Sequence, residues 1–559
     1  MNKNLFSDNS LVFFDGAMGT MLQEKGWNSS QPPEVCNIVS PELVESVHQA
    51  YVKAGADIIT ANTFGANPFK MGPLGYSAEE VVRKGVAIAR RAAAGRLVAL
   101  DIGPLGQLMA PMGALSFNDA YENFAVQVKA GTEAGADLIL IETMSDLYEA
   151  KAAVLAAKEL SSLPVICTLA FQKNGRTLMG NDPLTVVTVL EALGADAIGV
   201  NCSLGPEELL PVVGKLTEHA HVPVLVQANA GLPQLIDGRV VYPLNPLSFA
   251  ESAEKMVLMG VKMLGGCCGT NPEYIKALRN RLGNYQWKQP QNQRITAVAS
   301  SRKTLSLEKG LHIIGQRINP AGRQDLIQAL SSNEFDVLYE EALLQEQAGA
   351  DILDINVYTG LTDEAETMEK AVEYIQSLTH TPLQLDSADY RALEAGARVV
   401  NGKPILNSVN GCRQAMEQIF PIARKYGACV IGMTMDEDGI PENAERRLAI
   451  AEKILDTALS YGLHKEDIII DTIVQSAARL PGNAMETLKA VSLVKRELGL
   501  KTVLGISNIS YGMKNRPSLN AAFLAMALGA GLDLVIADPA SQQIAELIKT
   551  VDLLTGAAE

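Results

Sequence analysis

The sequence is short of positive charge. Lys and Arg number 47 against 63 Asp and Glu, for a formal net charge of −16. A chain of that sign repels a polyphosphate backbone, which excludes a nucleic-acid surface and favours neutral or cationic ligands. Long apolar runs are missing too. The longest, 521–532, contains Gly529 and Gly531 and stops at Asp533, too short to cross a bilayer. Near the N-terminus the run LVFF is broken by Asp15, shorter than the apolar region of a secretory signal. Seven cysteines occur without the spacing of a disulfide framework, and thiolate chemistry needs a reducing compartment. A cytoplasmic protein with no membrane partner is expected. What the chain does have is core material: 47% hydrophobic over 559 residues, enough for two or more cores.

One phrase recurs: AGADIITANT at 54–63, AGADLILIET at 134–143, GADAIGVNC at 194–202, AGADILDIN at 348–356 and AGLDLVIAD at 530–538. It reads as a helix end, a glycine near the cap, then a buried strand whose last residues turn polar. Amphipathic stretches such as 41–54 and 118–134 lie between, so strands alternate with helices and a parallel sheet follows. The first half offers eight strands (LVFFDG, DIITANT, LVALDIG, DLILIET, VICTLAF, AIGVNCS, VLVQANA, MLGGCC). The second offers eight more (HIIGQRI, ILDINV, LQLDSA, PILNSV, ACVIGMT, IIIDTIV, TVLGISN, DLVIADP). Two consecutive (β/α)8 barrels are predicted, at 1–284 and 310–559, joined by a polar linker at 285–309 that is poor in strand pattern. A doubly wound sheet is the alternative; eight units per half favour closure.

Function in such barrels sits at the C-terminal ends of strands. In the first half those ends carry Asp15, Asn62, Thr63, Asp101, Glu142, Thr143, Asn201, Cys202, Asn229, Cys267 and Cys268. The three cysteines are the sharpest signal. Cys202 and the Cys267–Cys268 doublet each end an apolar run, and the doublet can face one ligand only if its strand stops there. Gly265, Gly266 and Gly269 are expected to supply the freedom for that break. Three thiolates with an open fourth position suit a catalytic zinc, to which a sulfur nucleophile would add. Asn229 is a possible weak oxygen ligand in the substrate-free state. The plain alternative is three buried, metal-free thiols, the reading given to Cys36, Cys167, Cys412 and Cys429.

DGAMGT, ANTFGAN, IET, GVNC and GGCCGTNP together resemble the zinc-dependent homocysteine S-methyltransferases over roughly 10–282. That resemblance implies zinc on Cys202, Cys267 and Cys268 with homocysteine sulfur as fourth ligand. It also implies Asp15, Gly16, Ala17, Glu142 and Asn201 around the amino acid.

The second rim carries Arg317, Asn319, Asn356, Asp386, Asn407, Asp471, Asn508 and Asp538, an amide and carboxylate set with no matching metal cluster. Such groups suit a flat heterocycle rich in donors and acceptors, though the asparagines could equally cap the following helices. GQRINPAG, ADILDIN, LDSAD, ILNSVNG, VIGMTMDEDGIP and GISNISYGMKNR resemble the methyltetrahydrofolate-binding barrels of the cobalamin-dependent methionine synthase family and of methylfolate:corrinoid methyltransferases. The resemblance implies a pterin held by Asp386, Asn407 and Asp471, with Arg317 and Asn319 nearby. Asn508, with Asp471, would assist at the methylated amine. The family usually reads GERIN, whereas Gln316 stands here without the acid's charge.

The order of the two barrels is that of the N-terminal half of such synthases. None of the six histidines sits in the D-x-H-x-x-G cobalt-ligand motif, so cobalamin is expected on a separate domain or protein. The expected reaction takes methyl from 5-methyltetrahydrofolate to a cob(I)alamin carrier, then from methylcobalamin to homocysteine. A homocysteine S-methyltransferase using a betaine or sulfonium donor, fused to a folate:corrinoid methyltransferase, is the competing reading, and a non-catalytic metal and folate carrier is a third.

Overall fold

The computed structural model describes the chain except residues 1–5, 7, 28–29, 237–238, 481 and 556–559, so the outermost ends of both predicted domain spans lie outside the described residues. The chain divides into two compact units, Met1–Gln293 and Arg294–Glu559.

In the first unit, strands β1 (Val12–Phe13), β2 (Ile58–Thr60), β3 (Leu97–Ile102), β4 (Leu138–Met144), β5 (Val165–Leu169), β6 (Ala197–Asn201), β7 (Val224–Ala228) and β8 (Met263–Gly266) form one parallel sheet. Its order is β1-β8-β7-β6-β5-β4-β3-β2, and a parallel bridge from Phe14 to Ile58 joins the two ends. In the second unit, β9 (His312–Ile318), β10 (Ile352–Ile355), β11 (Leu383–Asp386), β12 (Ile405–Asn410), β13 (Cys429–Met433), β14 (Ile468–Asp471), β15 (Lys501–Gly505) and β16 (Leu534–Ala537) close into a ring. Helices alternate with the strands in both units. The α/β two-barrel architecture is therefore correct, and the doubly wound alternative is not.

The recurring phrase has a structural reason at each of its residues. Its glycine takes a left-handed conformation in all five copies (Gly55, Gly135, Gly194, Gly349 and Gly531, φ +85° to +103°), which turns the chain out of a helix. Its aspartate then accepts the backbone N–H at the start of the preceding strand. Asp57 takes Phe13 N at 3.1 Å, Asp137 takes Val98 N at 2.8 Å and Asp196 takes Val165 N at 2.9 Å. In the second unit Asp351 takes Ile313 N at 2.9 Å and Asp533 takes Thr502 N at 2.8 Å. These carboxylates satisfy donors at the barrel floor that the ladder leaves open.

Inward side chains at mid-barrel are apolar. In the first unit Val12, Phe14, Ile58, Ala99, Leu138, Leu140, Ile166, Ala197, Leu225 and Met263 pack together. Side chains two residues further along each strand therefore enter the mouth. The second barrel has a comparable layer, and Val298 and Leu307 complete it from below. Those two belong to a segment read as linker, in which Ala297–Ala299 and Thr304–Ser306 pair antiparallel. Strands of three residues carry too little alternation to be seen in sequence.

This hairpin docks by reciprocal bonds between Ala299 and Lys403, with Ala299 N to Lys403 O at 3.0 Å and Lys403 N to Ala299 O at 2.9 Å. Gly402 is required beside it, since a Cβ there would fall 2.1 Å from Ala299 O. Lys403 Nζ meets Asp467 at 2.6 Å, with both side chains largely buried. Asp467→Ala would leave the ammonium unpaired, so a loss of about 3–5 kcal/mol in unfolding free energy is expected by denaturant titration. Among the described residues, no helix is long and apolar enough to cross a membrane.

Candidate functional site

The first mouth is built around three thiols. β6 ends at Asn201, and Cys202 and Ser203 then take φ +58°, a conformation rare outside glycine. Cys202 N is anchored on Gln227 O at 3.0 Å. β8 ends at Gly266, and Cys267 N bonds Ala228 O at 2.8 Å. Thr270 folds back on the doublet, its Oγ1 donating to Cys267 O at 2.7 Å.

Of the three glycines expected to loosen this turn, only Gly269 uses its freedom (φ +78°). Gly265 and Gly266 are instead demanded by packing. A Cβ on Gly265 would lie 2.8 Å from Phe14 Cβ, and one on Gly266 would lie 2.3 Å from Thr270 Oγ1.

The three Sγ atoms lie within 4.8 Å of one another, and Cys202 and Cys268 are 3.9 Å apart. A tetrahedral ion with metal–sulfur bonds of about 2.3 Å sets its sulfurs roughly 3.8 Å apart, so the residues present fit such an ion. Without a cation, the thiols cannot all ionise: hydrogen bonds to Cys202 and Cys268, burial and both neighbours' charge hold Cys267 well above the usual thiol range. Cys36, Cys167 and Cys429 are buried free thiols apart from this group, and Cys412 is a half-buried one.

The other residues singled out in sequence gather at the same mouth. Asp15 is buried and accepts from Thr60 N at 2.8 Å and Thr60 Oγ1 at 2.7 Å, and burial still pushes its carboxyl up to about 7. Ala17 N donates to Thr270 Oγ1 at 3.2 Å, while Ala17 O accepts from Tyr51 at 2.9 Å. Gly16 is pinned between them; an added Cβ would sit 2.7 Å from Thr270 Oγ1 and 2.9 Å from the Tyr51 hydroxyl. Gly16→Ala should therefore cost about 1–3 kcal/mol by overpacking, as checked by thermal unfolding.

Glu142 is pushed up to about 8 by burial and by the charges of Cys202 and Asp15. Asn201 orients it: Nδ2 donates to Glu142 at 3.2 Å and to Thr143 Oγ1 at 2.7 Å, while Oδ1 accepts from Thr143 N and Thr168 Oγ1, both at 2.8 Å. Thr143 itself is held at φ +60°. Asn229 stands beside the triad with its Oδ1 accepting Cys268 N at 3.1 Å.

Two residues of the first unit were missed from sequence. Thr60, rather than Asn62 or Thr63, partners Asp15; Asn62 bonds Pro33 O and Asn37, and Thr63 bonds the Asp101 backbone. Tyr242 follows a hairpin and sets its ring over Gly269, where a Cβ would come within 2.2 Å of it. Nothing in YPLNP announces this.

In the second unit, Arg317, Asn319, Asp386, Asn407, Asp471 and Asn508 all line one cavity of about 1140 Å³. Asp386 accepts from Asn356 Nδ2 at 3.0 Å and lies above the usual carboxylate range through burial. Asp471 accepts Ile473 N at 2.7 Å, and burial pushes it up to about 6. Asn508 is exposed at the rim, on a turn spanning Ile506–Ser510.

Arg317 is less free than expected: Nε reaches Glu341 at 2.7 Å and a terminal nitrogen reaches Asp538 at 3.4 Å. Asn319 accepts Ala321 N at 2.9 Å within its own turn. Gln316 accepts from Ser507 Oγ at 3.3 Å. Asp354 also lines the cavity, accepts Gln384 Nε2 at 2.6 Å, and is raised by burial and by Asp386. Alternation along ILDIN could have found it, since Ile352 faces inward and Asp354 follows by two. Arg447, fully buried, holds the loop after β14 through Thr472 O at 2.8 Å and Ile473 O at 3.2 Å.

Known families match on both sides of this division. Residues 12–282 match the family "Homocysteine S-methyltransferase", and residues 316–538 match "Pterin binding enzyme". The chain thus joins a segment similar to the first family to a segment similar to the second. This domain pair is 32% identical to a methionine synthase of Mycobacterium tuberculosis and 31% identical to that of Mycobacterium leprae, over 93% of the chain in each case. The chain spans about half the length of these relatives, 47% of each. The solved homocysteine methyltransferase MmuM from Escherichia coli, in its metallated form, matches at 24% identity and a TM-score of 0.44, covering 50% of this chain and 99% of that one.

Proposed function

We propose that this chain is a methyltransferase that serves two half-reactions of methionine formation. Its second barrel would release methyl from 5-methyltetrahydrofolate to a cob(I)alamin carrier, and its first would pass methyl from methylcobalamin to homocysteine, giving tetrahydrofolate and methionine. The observation that carries this reading is the thiol triad at tetrahedral spacing, in a chain whose other barrel gathers all six expected pterin residues around one cavity.

Cys202, Cys267 and Cys268 would hold zinc, with Asn229 beside them. The bound ion would keep the homocysteine sulfur as a thiolate while leaving it nucleophilic. Asp15 and Glu142 would receive the amino-acid end, Gly16 and Ala17 would offer close-approaching backbone, and Asn201 would hold Glu142 in place. Free thiols of this kind also suit a reducing, cytoplasmic setting.

In the second barrel, Asp386, Asn407 and Asp471 would bind the pterin edge through paired N–H···O bonds. Arg317 would act mainly by holding Glu341 and Asp538 at the wall, and Asn319 by shaping the rim. Asn508 would donate to the amine that loses methyl, a bond that strengthens as charge changes there. A corrinoid on a separate domain or protein would supply the methyl acceptor.

The donor is tested by incubating the zinc-loaded chain with homocysteine and methylcobalamin, betaine or a methylsulfonium in parallel. Methionine from methylcobalamin alone is expected. Methionine from betaine or the sulfonium alone would replace this reading with the competing one.

A further inference from the structure

The first mouth contains a carboxyl without a use so far. Asp101 is only 6% exposed, and its Oδ1 is fully buried without a hydrogen-bond partner. Its placement is fixed by the strand. Leu97 and Ala99 of β3 pack in the inward layer, so Asp101 projects into the lumen one step above it. Glu142 arrives by the same rule after Leu138 and Leu140, and Thr60, which holds Asp15, follows Ile58.

The charges that bear on Asp101 are those of Glu142, Glu34 and Asp15, all acids. The contrast with its neighbours is informative: Asp15 has Thr60 and Glu142 has Asn201, whereas Asp101 has no donor. A buried acceptor left empty costs on the order of 1–3 kcal/mol, so a ligand that brings donors recovers that cost. Gln227, inward after Leu225 on β7, also buries an unpartnered oxygen in this layer. The layer is short of donors and of positive charge.

We infer that Asp101, with Asp15 and Glu142, receives the α-ammonium of the thiol substrate and makes the first barrel select an amino acid over a simple thiol. This rests on the reading that the first barrel takes homocysteine. An ammonium brings three N–H donors and the opposite charge, which meets an empty acceptor and favours ionised carboxyls around it. A site built to bond such a group rejects the analogue that lacks it. Asp101 touches substrate but not the reacting sulfur, so it sets specificity rather than chemistry.

The test compares homocysteine with 4-mercaptobutanoate, the same thiol without its amino group, by calorimetry on the zinc-loaded chain and by KM with methylcobalamin. The wild type should prefer homocysteine. Asp101→Ala should weaken homocysteine about 10- to 100-fold, leave 4-mercaptobutanoate within about twofold, and keep zinc bound. Asp101→Asn should lie between. Because the lost carboxyl is unpartnered, the melting temperature should hold or rise, which a structural role would not give. An unchanged preference in Asp101→Ala, or equal loss of both thiols with zinc retained, would overturn the inference alone. A wild type that binds neither thiol would instead overturn the proposed function, and this inference with it.

Discussion

Cys267→Ala should take the bound zinc from a full equivalent to near zero and reduce methylation of homocysteine to background. The triad has no redundancy among the described residues: Cys202, Cys267 and Cys268 form the one group of three or more His, Cys, Asp or Glu side chains close enough to hold an ion. Two remaining thiols cannot replace the third, because the neighbouring Asn229 offers only a weak amide oxygen, which already accepts Cys268 N. Methyltetrahydrofolate binding should be unaffected, since the second unit has its own core and its own cavity. Metal analysis and folate titration on the same preparation check both halves. Zinc retained at wild-type stoichiometry with full activity would refute the ligand assignment.

Asp471→Asn should separate binding from stability in opposite directions. Removing the charge should weaken methyltetrahydrofolate binding by about 1–3 kcal/mol, and Asp386→Asn should do likewise. The unliganded protein should behave otherwise. Burial raises Asp471 from 3.8 to about 6 against the lowering effects of Ile473 N and Arg447. The native state thus holds this proton longer than the unfolded chain, and its stability falls as pH rises through that interval. At pH 8 the wild type carries the whole cost and the asparagine variant none, so the variant should unfold at higher temperature. Near pH 4 both side chains are neutral and the difference should vanish. Calorimetric melting at the two pH values decides it; a variant less stable at pH 8 would mean that Asp471 is ionised and paired in the native state. Methylation from methylcobalamin should be untouched.

Much of the architecture is legible because one short phrase encodes it repeatedly. Its glycine and aspartate are each tied to a local backbone need, such as Gly55 at φ +103° and Asp57 on Phe13 N. The thiol triad is legible for a similar reason: every member follows directly on a strand end. Other features depend on partners remote in sequence. Arg317 looks available as a ligand residue until Glu341 and Asp538 arrive, 24 and 221 residues away. Asp15 finds Thr60 across 45 residues, and Tyr242 reaches Gly269 from a hairpin whose pattern predicts nothing about where it folds. Gly265 and Gly266 look like hinges in a glycine-rich string, yet they are there because Phe14 and Thr270 press against them.

The most direct test of the account follows one labelled methyl group through the protein. The zinc-loaded chain is supplied with homocysteine, methyl-labelled 5-methyltetrahydrofolate and reductant, with and without a catalytic amount of free cobalamin, and label in methionine is measured. Label should enter methionine only when cobalamin is present, and Cys267→Ala and Asp471→Asn should each block or slow its passage at a different half-reaction. Labelled methionine formed equally well without any corrinoid would contradict the account.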